Sequence, residues 1–142
     1  MVKTGCAYST STSSSSYFIK QAFLRMKEGG VIVNIASVHA IETEPMVAPY
    51  AAAKAALLWL TRSAAIKGKP KGIRVNAIPQ GAIDTPMLWD NPNVKAGIEV
   101  IEKRDVGEPD DIADVVAFLV WKQSRFVQGA SVLVDGGRLA RI

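Results

Sequence analysis

The chain has 142 residues, of which 49% are hydrophobic and 21% are charged. This length and balance are typical of one globular domain and exclude a largely disordered or fibrous chain. Of the net charge of +4, residues 1–30 carry +3. The nearly neutral remainder argues against a nucleic-acid-binding protein.

The counts of cysteine and histidine and the hydropathy pattern bear on the location of the protein, on metal binding and on membrane contact. Cys6 is the single cysteine, which excludes an internal disulfide and fits a reducing compartment, so we predict a cytoplasmic location. His39 is the single histidine, which excludes a multi-histidine metal site, and we predict no metal. No apolar run reaches the roughly 18 residues that a membrane helix needs, so we predict no membrane contact.

The first 16 residues differ from the rest of the chain. Residues 9–16 are eight consecutive serines or threonines, which offer no apolar side chain to bury. We therefore predict a loop or disordered segment over residues 1–16. A partial domain is predicted over residues 17–142.

Regular patterns begin at Tyr17. Apolar residues at helical spacing predict a helix over residues 17–27, ended by two glycines. The β-branched run at 31–35 is typical of a strand buried on both faces. An Ala- and Leu-rich stretch predicts a long helix over about 48–67, and residues 73–78 predict a second strand.

The second half contains a long connection and two further elements. Residues 79–106 show little periodicity beyond a short helix near 94–103, and a connection of that length is usually a lid or binding loop. Pro109 begins an amphipathic helix, and residues 130–134 predict a third strand. This alternation predicts an α/β fold with a parallel sheet and crossover helices, which binds ligands at the carboxyl ends of its strands.

Three residues near the end of the first strand could carry proton chemistry. Tyr50 and Lys54 are four apart and share one helix face, and Ser37 closes the strand. A nearby ammonium favours the phenolate of a tyrosine, which can then move a proton at a carbonyl or alcohol, while a serine hydroxyl holds the same oxygen. Taken alone, a tyrosine–lysine pair at this spacing is also common on exposed helix surfaces.

The order of five motifs along the chain favours a catalytic pair over an exposed surface pair. In these motifs, residues from Tyr17 to the C-terminus resemble the classical short-chain dehydrogenase/reductase family. The motifs are Asn34-Ile35-Ala36-Ser37, Tyr50-Ala51-Ala52-Ala53-Lys54, Arg74-Val75-Asn76-Ala77, Asp84-Thr85-Pro86-Met87 and Val134-Asp135-Gly136-Gly137.

The resemblance implies a reaction and roles for its residues. It implies hydride transfer between NAD or NADP and a carbonyl or secondary alcohol. Tyr50 would be the general acid/base and Ser37 would orient the substrate carbonyl. Lys54 would lower the pKa of the tyrosine and bind the nicotinamide ribose. The cofactor-binding residues would be Tyr50 and Lys54 together with Gly81, Ile83 and Thr85, the last two at the nicotinamide carboxamide.

The sequence also departs from the family pattern. The glycine-rich turn that holds the pyrophosphate is absent, since Ser9 and Ser11 stand where glycines belong. The family's catalytic asparagine would fall near Thr12, inside the Ser/Thr run. The family's Pro-Gly after the second strand is Gln80-Gly81 here. The resemblance therefore implies the C-terminal half of a Rossmann-type doubly wound sheet, with about three strands.

Two functions follow from this pattern. The first is an NAD(P)-dependent oxidoreductase acting on a small carbonyl or alcohol. The second is a truncated, inactive remnant that keeps the family's oligomerisation surfaces, which the missing glycine-rich turn favours for this chain in isolation. In either case we expect a homo-oligomer, and we expect weak or no cofactor binding by the chain alone.

Overall fold

The computed structural model describes the backbone of residues 6–140 and the side chains of residues 13–140. Within that range, no helix is both long and apolar enough to cross a membrane. The structure contains two long helices, two longer strands and several short elements. The helices are α1 (Cys6–Arg25), α2 (Ala48–Gly68), α3 (Pro86–Trp89), α4 (Pro92–Lys95) and α5 (Pro109–Val120), and the strands are β1 (Val31–Ser37), β2 (Arg74–Gln80), β3 (Ala82–Ile83) and β4 (Val106–Gly107).

A parallel ladder between β1 and β2 forms the centre of the fold. It runs in register from the Val31–Arg74 pair to the Ser37–Gln80 pair. Helix α2 supplies the crossover that a parallel connection requires. The two strands therefore end at the same edge of the sheet, which is the edge where such folds bind ligands.

Helices cover both faces of this ladder. On one face Val75 packs with Ile19 of α1 and Ala65 of α2. On the other face Ile78 packs with Ile112 and Leu119 of α5. Because strand residues alternate between faces, this arrangement buries β2 on both sides. The prediction that the 31–35 strand is buried on both faces is wrong, because β1 is only partly buried over residues 31–34 and exposed at Ile35. The predicted α/β class, with parallel strands and crossover helices, is confirmed.

The predicted third strand is only partly regular. Residues 130–134 run parallel to β2, but they pair through two isolated bridges, Ala77 with Ser131 and Gln80 with Val134. The Val132 amide donates to the Ala77 carbonyl at 2.9 Å, and the Val134 amide donates to the Pro79 carbonyl at 3.1 Å. Pro79 has no N–H to donate in return, so the ladder is interrupted between the bridges.

The predicted loop at the N-terminal end is wrong from Cys6 onward, and residues 1–5 lie outside the described residues. Helix α1 runs through the Ser/Thr run and across the predicted boundary at residues 16 and 17. Its C-terminal half is fixed by packing of Ile19 and Phe23 on α2, and adding turns to an existing helix is easier than starting one. The Ser16 hydroxyl also bonds the Ser13 carbonyl at 2.9 Å, a helical back-bond that serine allows.

The other predicted helices agree with the structure in two cases and disagree in one. Helices α2 and α5 begin and end within about one residue of expectation where one was given. The helix predicted near 94–103 is wrong, because the short helices begin instead at Pro86 and Pro92. Proline suits the first turn of a helix, and Asn91 caps α4 by accepting from the Asn93 amide at 3.0 Å.

Candidate active site

A cavity of about 720 Å³ opens at the carboxyl ends of β1 and β2. Five of the six residues predicted for the site line this cavity, namely Ser37, Tyr50, Gly81, Ile83 and Thr85. They come from β1, the start of α2 and the segment after β2. The fold thus brings together residues that are up to 48 positions apart in the chain.

Ser37 ends β1 with its side chain largely buried. Its Oγ accepts a hydrogen bond from the His39 amide at 3.2 Å, and this bond starts the single helical turn of residues 38–40. The turn redirects the chain away from the sheet at Ser37. The hydroxyl keeps its own proton for donation, because the amide bond uses only a lone pair of Oγ.

Tyr50 and Lys54 lie one turn apart at the start of α2. The Lys54 Nζ is 5.7 Å from the centroid of the Tyr50 ring. The same Nζ donates a hydrogen bond to the Ile35 carbonyl of β1 at 3.1 Å. Lys54 is half-buried between β1 and α2, and this burial lowers its pKa from the usual 10.5 by desolvating the ammonium. Lys54 does not line the cavity but lies close to the tyrosine that does.

The segment after β2 forms the opposite wall. Gly81 approaches the turn at residues 135–137 so closely that a Cβ on it would lie 2.8 Å from the Cα of Asp135. The Gly81 amide donates to the Val134 carbonyl at 2.9 Å. Ile83 in β3 is buried, and the Thr85 hydroxyl donates to the Ile83 carbonyl at 3.3 Å. A residue other than glycine at position 81 would push this wall away from the end of the 130–134 strand.

The Asp-Gly-Gly motif forms a turn beside that wall. The Asp135 carboxylate accepts from the Gly137 amide at 2.9 Å and from the Leu139 amide at 2.8 Å. Both glycines have positive φ, which glycine adopts without strain. The motif therefore shapes the backbone that carries Arg138 into the cavity wall.

The cavity combines apolar walls with one polar end. Its apolar lining comes from the loop before α2 and from the long connection, and comprises Val38, Met46, Val47, Met87 and Leu88. Trp89 is absent from the lining, and its indole N–H donates to Asp84 at 2.6 Å. At the polar end lie His39, Glu99 and Arg138.

The polar end contains a cluster of charged residues that sequence analysis missed. The Arg138 guanidinium hydrogen-bonds the Glu44 carboxylate and lies 3.6 Å from Oε1 of Glu99. The His39 Nε2 lies 3.9 Å from the same oxygen, and the His39 ring packs edge-on against Tyr50 with 5.9 Å between centroids. The signal available was position, because Arg138 directly follows the Asp-Gly-Gly motif at a strand end.

The same cluster could be mistaken for a metal site. Ligand atoms of His39, Glu44 and Glu99 lie within 4.8 Å of one another, which is close enough to share an ion. However, the guanidinium of Arg138 contacts both carboxylates. It supplies there the positive charge that a metal ion would supply, and the arrangement is that of an ion-pair cluster.

The sequence and fold of the chain are shared with known proteins. The family described as enoyl-(acyl carrier protein) reductase matches residues 4–138. The chain is 42% identical over 119 residues to 3beta-hydroxysteroid dehydrogenase 1 of Eggerthella lenta, which covers 81% of this chain and 46% of that protein.

Solved structures show the same likeness. BdcA in complex with NADPH superposes with a TM-score of 0.79 at 30% identity, covering 91% of this chain and 54% of that one. 4-Hydroxyisoleucine dehydrogenase complexed with NADH gives a TM-score of 0.72 at 33% identity, covering 91% and 54%. The parallel α/β fold is therefore the Rossmann-type fold of these structures, matched over about half their length. More specifically, the chain belongs to the short-chain dehydrogenase/reductase family, as the five motifs predict.

The chain spans about half the length of the curated relatives it matches. The residues present suit one end of the dinucleotide that this family implies. Ser37, Tyr50 and Thr85 line the cavity together with apolar Ile83, and their hydroxyls are a donor set that fits a carboxamide and a ribose. At the pyrophosphate end, residues 6–140 contain no glycine-rich turn leading from a strand into an α-helix.

Proposed function

We propose that this chain carries the proton-transfer and nicotinamide-side half of an NAD(P)-dependent oxidoreductase that interconverts a carbonyl and a secondary alcohol. The observation that carries the proposal is one cavity lined by Ser37, Tyr50 and the Gly81–Thr85 wall, with Lys54 next to the tyrosine. The nicotinamide, when bound, would supply or accept the hydride.

The side chains of the cavity would divide the remaining work. The Ser37 hydroxyl, fixed by its bond to the His39 amide, donates to the substrate oxygen and orients the carbonyl. The Tyr50 phenol gives a proton to that oxygen on reduction and takes one on oxidation. The Lys54 ammonium stabilises the phenolate, because an opposite charge nearby favours the ionised form.

Burial of Lys54 modifies its part in this scheme. Desolvation lowers the pKa of Lys54, while its bond to the Ile35 carbonyl holds the ammonium near the tyrosine. The ammonium is therefore fixed in position before substrate arrives, and no side-chain ordering is needed at the chemical step. The apolar walls from Met46, Val47 and Leu88 suit a substrate with an apolar body around the reacting carbonyl.

A second function is supported by a separate observation. Because the described residues lack a pyrophosphate-binding turn, the chain alone could serve as an inactive subunit that keeps the surfaces of α1 and α2 for association. Calorimetric titration with NADH and NADPH separates the two functions. Micromolar affinity supports the oxidoreductase, whereas absence of binding at millimolar cofactor supports the inactive subunit.

The phenol of Tyr50 provides the sharpest test of catalysis. In a chain with measurable reductase activity towards a panel of ketones, Tyr50→Phe should lower kcat about 10²- to 10⁴-fold, since the proton donor is lost. Tyr17→Phe is the matched control, because Tyr17 is exposed on α1 away from the cavity. A Tyr50→Phe variant with half the wild-type kcat would show that the proton comes from elsewhere.

A further inference from the structure

The long connection between β3 and β4 has one unusual buried residue. Between residues 84 and 105, Glu99 is the only residue that is buried, and 8% of its surface is exposed. Its apolar neighbours Ile98 and Val100 are exposed instead. A carboxylate that is buried while the two apolar side chains beside it are exposed is held by charge and not by hydrophobic packing.

The polar contacts of this segment lead to the same residue. Its two ends are fixed by the short β3–β4 pairing. Between these ends, we consider the side-chain hydrogen bonds and ion pairs of residues 86–104 with other residues of the 13–140 range. All of them join two residues of the 84–105 connection, except those of Glu99. The internal ones include Trp89 with Asp84 and Lys95 with Asp90. Glu99 alone reaches the body of the domain, at Arg138 and His39.

Arg138 is itself fixed from the other side. Its guanidinium hydrogen-bonds Glu44 in the loop before α2, and its backbone follows the turn that Asp135 organises. The Arg138 side chain is 23% exposed, so its charge is largely shielded from water. It is thus a fixed cation into which the carboxylate of the connecting segment docks.

We propose that Arg138 is a positioning residue that holds the 84–105 segment over the cavity through Glu99. The segment supplies Met87 and Leu88 to the apolar wall, and Glu99 itself lines the cavity beside His39, which packs on Tyr50. Loss of Arg138 leaves a buried carboxylate without its cation, so the segment lowers its free energy by swinging Glu99 out into water. The cavity wall then opens.

Limited proteolysis tests this proposal without any requirement for activity. Trypsin sites at Lys95, Lys103 and Arg104 lie in the exposed part of the segment. Cleavage at these sites, followed by mass spectrometry, should be about tenfold or more faster in Arg138→Gln, in keeping with the cost of a buried charge without a partner. Arg125→Gln is the control, because it removes one exposed arginine and one trypsin site elsewhere.

A double-variant cycle tests whether Arg138 acts through Glu99. We expect Glu99→Gln, Arg138→Gln and the combined variant to be cleaved at similar rates, because each removes the same ion pair. Urea unfolding of each variant must stay cooperative, which separates opening of the segment from loss of the whole fold. Unchanged cleavage in Arg138→Gln, or a rise of equal size in the Glu99→Gln background, would overturn the proposal.

The kinetic consequence rests on the proposed function. If the chain reduces ketones, Arg138→Gln should raise KM for the ketone several-fold with a smaller change in kcat, because the variant loses the substrate wall and keeps Ser37, Tyr50 and Lys54. An inactive wild-type chain would count against the proposed function. It would not affect the proteolysis result, so the two failures are distinguishable.

Discussion

The two outer edges of the β1–β2 ladder are treated very differently. The outer edge of β2 is covered by residues 127–134 and is closed with side-chain hydrogen bonds. The outer edge of β1 has no strand partner among residues 6–140. The comparison shows how the motif residues divide between holding the architecture and forming the site.

Three polar side chains close the β2 edge. Buried Asn76 donates to the Val127 carbonyl and accepts from the Ala130 amide, both at 3.0 Å. Gln128 accepts from the Val75 amide at 2.7 Å and donates to the Ala65 carbonyl at 2.8 Å. Arg74 donates to the Leu119 carbonyl at 2.7 Å, where a cation suits the C-terminal end of α5. The Arg-Val-Asn-Ala motif is therefore structural in this chain.

The β1 edge offers a contrast. The Gly30 carbonyl accepts a hydrogen bond from the Arg74 amide, so the backbone N–H and C=O groups of Ile32 and Asn34 point towards β2. The backbone groups of the alternate residues Val31, Val33 and Ile35 point to the outer edge of β1. On that outward side Lys54 covers the Ile35 carbonyl. An edge of this kind is a template for pairing with a further strand. One edge is thus closed within the chain and the other is open to a partner.

The largest expected effect comes from opening the closed edge. Asn76→Ala leaves the Val127 carbonyl and the Ala130 amide without partners and leaves a small cavity in the interior. We expect a loss of about 2–4 kcal/mol in the free energy of unfolding, measured by urea denaturation. Gln123→Ala, at an exposed position, is the control and should change stability by less than about 0.5 kcal/mol. A loss of equal size in both variants would contradict the role given to Asn76.

Local patterns predicted the elements that flank these edges, and they failed where longer-range effects decide. The β-branched run at residues 31–35 identifies β1, because such side chains favour strands. The Ser/Thr run was misassigned because packing of Ile19 and Phe23 on α2 extends α1 through it. The predicted third strand is continuous in its own sequence pattern. Its ladder is interrupted because Pro79, on the neighbouring strand, has no N–H to donate, and that pattern contains no information about the neighbour.

Part of the candidate site is also predictable from the sequence and part is not. Ser37, Tyr50 and the Gly81–Thr85 wall follow from motif order and from the rule that strand ends share an edge. The Arg138–Glu99 ion pair could not be predicted, because its partners are 39 positions apart and no periodic pattern joins them. Burial of Glu99 follows from the path of the long connection, and that path depends on the tertiary structure.

A second prediction tests whether the open edge is used. We expect light scattering at micromolar concentration to give a mass above the 15.2 kDa of one chain. Val31→Pro removes an outward-facing N–H at the first residue of β1 and should shift the mass towards the monomer. Val31→Ala is the matched control, because it shortens the side chain but keeps the N–H. A monomeric wild-type chain, or equal masses for both variants, would contradict pairing through this edge.

The smallest expected effect concerns the lysine that covers this edge. The pKa of Lys54 is lowered in the folded chain by desolvation, whereas in the unfolded chain it returns to the usual 10.5. Below the lowered value both states carry the proton, and the folded state bears the full penalty. Between the two values the unfolded state binds more protons, so the stability of the wild-type chain rises with pH and the penalty fades.

Lys54→Met makes this penalty measurable. The variant keeps the aliphatic stem and removes the half-buried charge, so its free energy of unfolding relative to wild type should be more favourable near pH 7 than near pH 10. Urea denaturation at both pH values gives the comparison, with Lys67→Met, an exposed lysine on the same helix, as the control for loss of one charge. If the difference between variant and wild type were the same at both pH values, the bond to Ile35 would fully offset desolvation. The open edge of β1 would then already be satisfied by Lys54 at its carboxyl end.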